Sequence, residues 1–181
     1  MTVSHIRIEE WRSDVDGATL EREIDMLAEI LRAIVYDGAG VSFIVPFSME
    51  ESRAFWRDRV LPGVAARTRH VLVARADNRI VGTVQLDLAM MPNQQHRGEV
   101  VKMLVHPDAR RQGIARALML ALEDVARAEH RTLLTLDTWS GSAAETLYRS
   151  LGYTVVGMIP RFARTSTKTD LEPTTIMYKD L

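Results

Sequence analysis

Residues 100–115 read VVKMLVHPDARRQGIA and hold the densest chemistry in the chain. An apolar run stops at His106-Pro107, a short loop carries Arg110, Arg111, Gln112 and Gly113, and a helical pattern then begins. Two arginines at a helix start are locally unfavourable, because the free N–H groups there carry roughly half a positive charge. Each such mismatch costs on the order of 0.3–1 kcal/mol at an exposed site. A bound anion reverses the sign, since the amides, the dipole and both guanidinium groups then face one negative group. Gly113 allows the backbone to come close to it. The chemistry is that of a phosphate or diphosphate site at residues 110–115. A solvated basic turn is the other reading, and the residues by themselves leave both open.

The elements that must position this loop alternate in type. The spacing predicts a short strand over residues 4–10 and a helix over 18–36, where Leu20, Ile24, Leu27, Leu31 and Ile34 recur at three and four. Asp37-Gly38-Ala39-Gly40 stops that helix. Ser48-Met49-Glu50-Glu51 has the capping-box pattern and opens a second helix bearing Phe55, Trp56 and Val60. Strands follow at 71–74, 80–89 and 99–105, the first two joined at Asp77-Asn78. A helix over 113–129 carries Ile114, Leu118, Leu122 and Val125 on one face. A strand at 132–137, a capping box at Ser142 to Glu145 opening a helix that closes before Gly152, and strands at 153–159 and 175–178 complete the chain. Three successive strands suggest an antiparallel meander, and the later alternation suggests crossovers.

Composition narrows the function classes. The 181 residues are 46% apolar and 26% charged, an ordinary globular balance that fits one domain over 1–181. A net charge of −1 speaks against a nucleic-acid partner. With no cysteine, the chain has no disulfide, thiolate zinc site or cysteine nucleophile. His5, His70, His96, His106 and His130 lack metal spacing, so no metal is expected. No run approaches the roughly 18–20 apolar residues of a membrane span, and MTVSHIRIEE lacks the features of a secretion signal. A cytoplasmic protein without a membrane partner is the expectation.

The loop pattern R-x-x-G-x-A, with Arg110, Gly113 and Ala115 in place, resembles the pyrophosphate loop of the GNAT superfamily of acetyl-CoA-dependent N-acetyltransferases. Ala144-x-x-Leu147-Tyr148-x-x-Leu151-Gly152-Tyr153 resembles that family's second signature. Residues 38–43, Glu99-Val100-x-Lys102-Met103, and Leu136-Asp137-Thr138-x-x-Gly141-Ser142-x-Ala144-Glu145-x-x-Tyr148 are similar to tabtoxin-resistance acetyltransferases, which acetylate a small amine antimetabolite. The resemblance implies an α/β fold of GNAT type: a mixed sheet with an antiparallel N-terminal meander, then parallel splayed strands, with helices on both faces. It implies acetyl-CoA as cosubstrate, held by Met103, Leu104, Val105, Arg110, Arg111, Gln112, Gly113, Ile114, Ala115, Ser142 and Tyr148. The backbone of residues 103–105 would pair with the pantetheine arm and polarise the thioester carbonyl. The wider family often has asparagine at position 141, and Trp139 and Ser140 differ from the tabtoxin subgroup.

Acetyl transfer needs a neutral amine. A lysine-like amine of pKa near 10.4 costs roughly 4.6 kcal/mol to neutralise at pH 7, an α-amino group only about 1.4 kcal/mol. The resemblance casts Glu99 and Asp137 as general bases, and Tyr148 as the acid that protonates the departing thiolate. Phe43, Glu99, Asp137 and Trp139 are the candidate substrate residues. By residue type alone, Glu99 also fits a rim charge, Asp137 a turn residue and Tyr148 a half-buried aromatic on an amphipathic helix. Glu145 is expected as the capping partner of Ser142. Phe43, Phe47 and Trp56 either wall a cleft or pack the first helices, and Arg161, Arg164 and Lys168 mark a mobile flap or a solvated loop.

The expected acceptor is a small amine, an amino-acid-like toxin or antibiotic. The rivals are a protein or peptide N-acetyltransferase that docks peptides on residues 160–174, and a non-catalytic acyl-CoA-binding or drug-sequestering module. A homodimer is a family-level expectation.

Overall fold

The structure, a computed structural model, describes residues 6–181. The expected first strand is β1 (Ile6–Glu10); the start of that expectation, with His5, lies outside the described residues. One seven-stranded sheet runs β1-β2-β3-β4-β5-β7-β6, with β2 (Arg69–Ala76), β3 (Arg79–Asp87), β4 (Arg97–Val105), β5 (Leu133–Trp139), β6 (Thr154–Arg164) and β7 (Leu171–Asp180). β1 to β4 form the antiparallel meander. The β4–β5 pair is the parallel one, made by the crossover helix α4 (Ile114–Ala128). β7 inserts between β5 and β6, so the strands after β5 pair antiparallel.

Helices cover both faces, because the apolar stripes read from the sequence need two cores. α1 (Gly17–Tyr36) begins at Asp16, whose carboxylate accepts from the Thr19 N–H at 2.9 Å. Its Ile24, Leu27, Leu31 and Ile34 are buried with Trp11, Trp56 and Val60 against Val71 and Val73. On the opposite face α4 buries Ile114, Leu118 and Leu122 against Val84, Leu86, Val100 and Leu134. α5 (Ala143–Ser150) adds Tyr148 to this second core.

The helix opening at Ser48 differs from the uniform one expected. Ser48 forms the full capping box with Glu51, and α2 runs Met49–Ala54. The chain then widens into a π-helical segment, Phe55–Val60, before the short α3 (Leu61–Ala65). Pro62 has no N–H to donate to the carbonyl four residues back, which favours the wider turn. The extra residue in the turn leaves Trp56 fully buried and Phe55 half-buried at the helix surface.

The C-terminal region is also tighter than expected. Residues 160–164 and 171–173 are strand rather than flap. Between them Thr165 and Ser166 are buried, the Val45 N–H donates to the Ser166 carbonyl at 3.0 Å, and the Ser166 hydroxyl donates to the Val35 carbonyl. Among the described residues no helix is long and apolar enough to cross a membrane.

Candidate active site

β4 pairs with β5 only from Arg97↔Leu133 to Glu99↔Thr135. Beyond that point the strands part, and the β5-facing edge of residues 100–105 borders a gap. At the far end of the gap lies the loop of residues 110–113. Gly113 has φ +78° and is the N-cap of α4, without a side chain to cap it. Arg111 has φ +61°. A β-carbon at Gly113 would meet nothing within 4 Å, so the glycine serves the backbone conformation and leaves open space above the helix end. Intrahelical bonding begins with the Ala117 N–H donating to the Gly113 carbonyl, so the amides of residues 114–116 precede the first helical donor and point along the axis. Arg111 and Gln112 are exposed. Arg110 is not free: its Nη1 lies 2.7 Å from Asp37 Oδ2, at the end of α1.

A cavity of about 720 Å3 lies on the α1 side of the sheet, within the range of small-molecule sites. Its walls include Phe43, Phe55, Arg69, Gln85, Glu99 and Lys102. A bulge in β4 builds this wall. Thr83 pairs with Leu104 but Gln85 pairs with Val101, so β4 spends one more residue than β3, and Lys102 takes φ +51°. A left-handed non-glycine residue costs on the order of 1–3 kcal/mol. The bulge inverts the alternation: Val100, Met103 and Val105 face the α4 core, while Glu99, Val101 and Lys102 face the cavity. Strict alternation would have put Lys102 beside Val100.

The candidate bases occupy different settings. Glu99 is half-buried, on the cavity wall, and opposite Asp87 in the register. Asp137 is exposed near the end of β5, and its Oδ2 accepts from the Thr174 hydroxyl at 2.9 Å. Tyr148, on α5, is 6% exposed, and its ring lies 5.8 Å from that of Tyr153. Burial, and then the negative charge of Asp137, push the Tyr148 phenol well above its ordinary range. It therefore stays protonated at neutral pH, the form a proton donor needs. Burial lowers the pKa of Lys102, with Asp137 acting in the opposite direction.

Ser142 is the N-cap of α5 and accepts from the Glu145 N–H at 3.2 Å. The Glu145 carboxylate does not return that bond to Ser142. It accepts from the Gly141 N–H at 2.7 Å and pairs with Arg149, and these contacts lower its pKa, the Gly141 bond foremost. Trp139 is 36% exposed, with Lys168 Nζ 5.5 Å above its ring. Of the aromatic candidates, Phe43 lines the cavity, while Phe47 and Trp56 are core.

Sequence reasoning missed Phe55, Arg69, Gln85, Asp87 and Lys102. Arg69 pairs with Asp87, and Arg69 Nη1 donates to Gln85 Oε1 at 3.3 Å. These residues come from separate elements and carry no motif, so only tertiary register brings them together. Lys102 had a signal, a lysine inside an apolar strand, that could have marked it.

The acetyltransferase (GNAT) domain family matches residues 67–155 of this chain. An uncharacterised N-acetyltransferase from Azospirillum brasilense is 33% identical over 103 residues, covering 55% of this chain and 58% of that protein. The fold is similar to that of yncA from Salmonella typhimurium, solved with its cofactor acetyl-CoA (TM-score 0.75, 21% identity, 97% and 94% of the two chains). It is likewise similar to that of ribosomal-protein-alanine N-acetyltransferase from Brucella melitensis (TM-score 0.77, 21% identity, 97% and 99%). The chain spans between 19% and 58% of the length of the curated relatives it matches.

Proposed function

We propose that this protein, whose residues 67–155 match the acetyltransferase (GNAT) domain family, moves an acetyl group from acetyl-CoA to the primary amine of a small, amino-acid-like molecule, as the tabtoxin-resistance enzymes do. The observation that carries this reading is the gap between β4 and β5. It starts just beyond Glu99, which sits on the cavity wall, and runs along β4 toward the uncapped helix start at Gly113.

The residues present fit the cosubstrate. Gly113 leaves room for a diphosphate against the amides of residues 114–116, and Arg111 and Gln112 stand free beside them. The unpaired edge of residues 103–105 suits an extended amide-bearing arm. Acetyl-CoA would supply the acetyl group as a reactive thioester.

The chain's own residues do the rest. Glu99 or Asp137 takes the proton from the attacking amine, directly or through a water. The amine nitrogen forms its bond to the carbonyl carbon as the carbon–sulfur bond breaks. A backbone N–H of residues 103–105 stabilises the carbonyl oxygen while it carries charge. The Tyr148 hydroxyl gives its proton to the leaving sulfur. No side chain forms a covalent intermediate. We take the chain as one such domain working in the cytoplasm. We also assign it a homodimer, for which the exposed Val156, Met158 and Phe162 on β6 offer an apolar surface.

Thiol release followed across a panel of free amines and peptides tests the reading. Turnover of a free amine supports it. Turnover of peptides alone moves the acceptor class to protein, and acetyl-CoA binding without any turnover makes the chain a binding module.

A further inference from the structure

Lys102 is the cavity's unusual residue. A left-handed backbone conformation turns it into the cavity, where its ammonium donates to the Ser42 hydroxyl at 3.0 Å. The nitrogen lies 5.9 Å from the ring centres of both Phe43 and Phe55. Among the described residues no carboxylate comes within ion-pair distance of it, whereas Arg69 beside it is already taken by Asp87. Burial weakens its hold on the proton. A half-desolvated cation on a left-handed backbone is costly, and here the Ser42 hydroxyl and the two ring faces repay it without any counter-charge.

Gln85 supplies an independent observation. It is fully buried and lines the same cavity. Its Oε1 accepts from Arg69, which fixes the amide orientation, and its Nε2 has no partner among the described residues. A buried amide donor left unpaired costs about 1–3 kcal/mol. The cavity therefore holds an ammonium with no carboxylate partner and an amide N–H with no partner, two donors suited to a carboxylate, while Glu99 offers a carboxylate on the same wall.

We propose that the acceptor is a zwitterionic amino acid, whose carboxylate is bound by Lys102 and Gln85 while its amine faces the carboxylates that deprotonate it. This rests on the acetyl-transfer reading and sharpens it. A plain amine or a polyamine would leave both donors unmet, and an aminoglycoside would offer the ammonium only neutral oxygens. The aromatic rings of Phe43 and Phe55 then hold the aliphatic part of the substrate. Because only the ammonium form of Lys102 attracts the carboxylate, preference for the acid holds below the depressed pKa of Lys102 and fades above it.

Lys102, Lys168 and Lys179 are the three lysines, so reductive methylation with 13C-formaldehyde gives three lysine NMR signals besides the amino terminus. The signal missing in Lys102→Arg is that of Lys102. Titration uses the N-acetyl derivatives of the twenty amino acids and, as controls, their carboxamides. At least one acid should shift the Lys102 signal and raise its titration midpoint, with the matching carboxamide silent. In turnover, the acid form of the accepted amine should have a KM about 10- to 100-fold below that of its carboxamide. Lys102→Met should erase that ratio and Lys102→Arg should keep most of it. No acid moving the signal, carboxamides moving it equally, or an unchanged ratio in Lys102→Met overturns the inference. An enzyme that acetylates acid and amide alike overturns this inference alone. Failure to bind acetyl-CoA overturns the acetyl-transfer reading instead.

Discussion

The two ends of the β4–β5 gap are built by opposite means. The loop of residues 110–115 works through the backbone: a left-handed glycine, the amides of an uncapped helix and the dipole behind them. The cavity works through side chains from β2, β3, β4 and the segment after α1. A backbone site binds what many related proteins can share, because it needs only a glycine and a helix start. A side-chain site can be respecified residue by residue. On the proposed reading the common donor belongs to the first end and the individual acceptor to the second.

Substitutions can break this division, and the largest effects belong to the chemistry between the ends. Glu99→Gln and Asp137→Asn should together lower kcat by about 10²–10⁴ while leaving acetyl-CoA affinity within about threefold. Single-turnover kinetics beside a binding titration measures this, and equal losses in both would place the carboxylates in donor binding. Tyr148→Phe removes the proposed proton donor. It should lower kcat by about 10²-fold for a thioester with a basic leaving thiol, with far less loss for an activated thioester. A uniform loss on both donors would make Tyr148 a packing residue.

At the backbone end, Gly113→Val forces a β-branched residue into φ +78° and should weaken acetyl-CoA binding by about tenfold, with no change in acceptor preference. Calorimetry across donor and acceptor titrations reads both numbers. The smallest effect belongs to the ion pair that holds Arg110. Asp37→Ala frees that guanidinium for the diphosphate and should tighten acetyl-CoA about two- to fivefold at low salt, since exposed pairs are worth only about 0–1 kcal/mol. The gain should vanish at high salt.

The same division explains what could be read from the sequence. Residues 110–115 are contiguous, so their arginine, glycine and helix start raise an anion site without any tertiary knowledge, beside the solvated basic turn that the same residues fit. The strands and helices were legible from periodicity, since Ile24, Leu27 and Leu31 on one element and Ile114, Leu118 and Leu122 on another each mark a buried face. The insertion of β7 between β5 and β6 was not, because hairpin pairing depends on which edge is free rather than on local pattern. The π-helical turn at Phe55–Val60 and the bulge at Lys102 escaped for a shared reason. Each is a one-residue insertion that shifts a face, and periodic reading assumes no such shift. Those two shifts place Phe55 and Lys102 on the cavity wall. The Glu145 carboxylate departs from the capping box because an S-x-x-E pattern does not say which N–H it will reach.

The central claim is that the uncapped helix start at Gly113 receives the diphosphate of acetyl-CoA. Isothermal titration of wild type and Gly113→Val with acetyl-CoA tests it most directly. The account predicts binding of about micromolar Kd for wild type, about tenfold weaker in the variant. No heat at millimolar acetyl-CoA, or equal affinity in the two proteins, would contradict it.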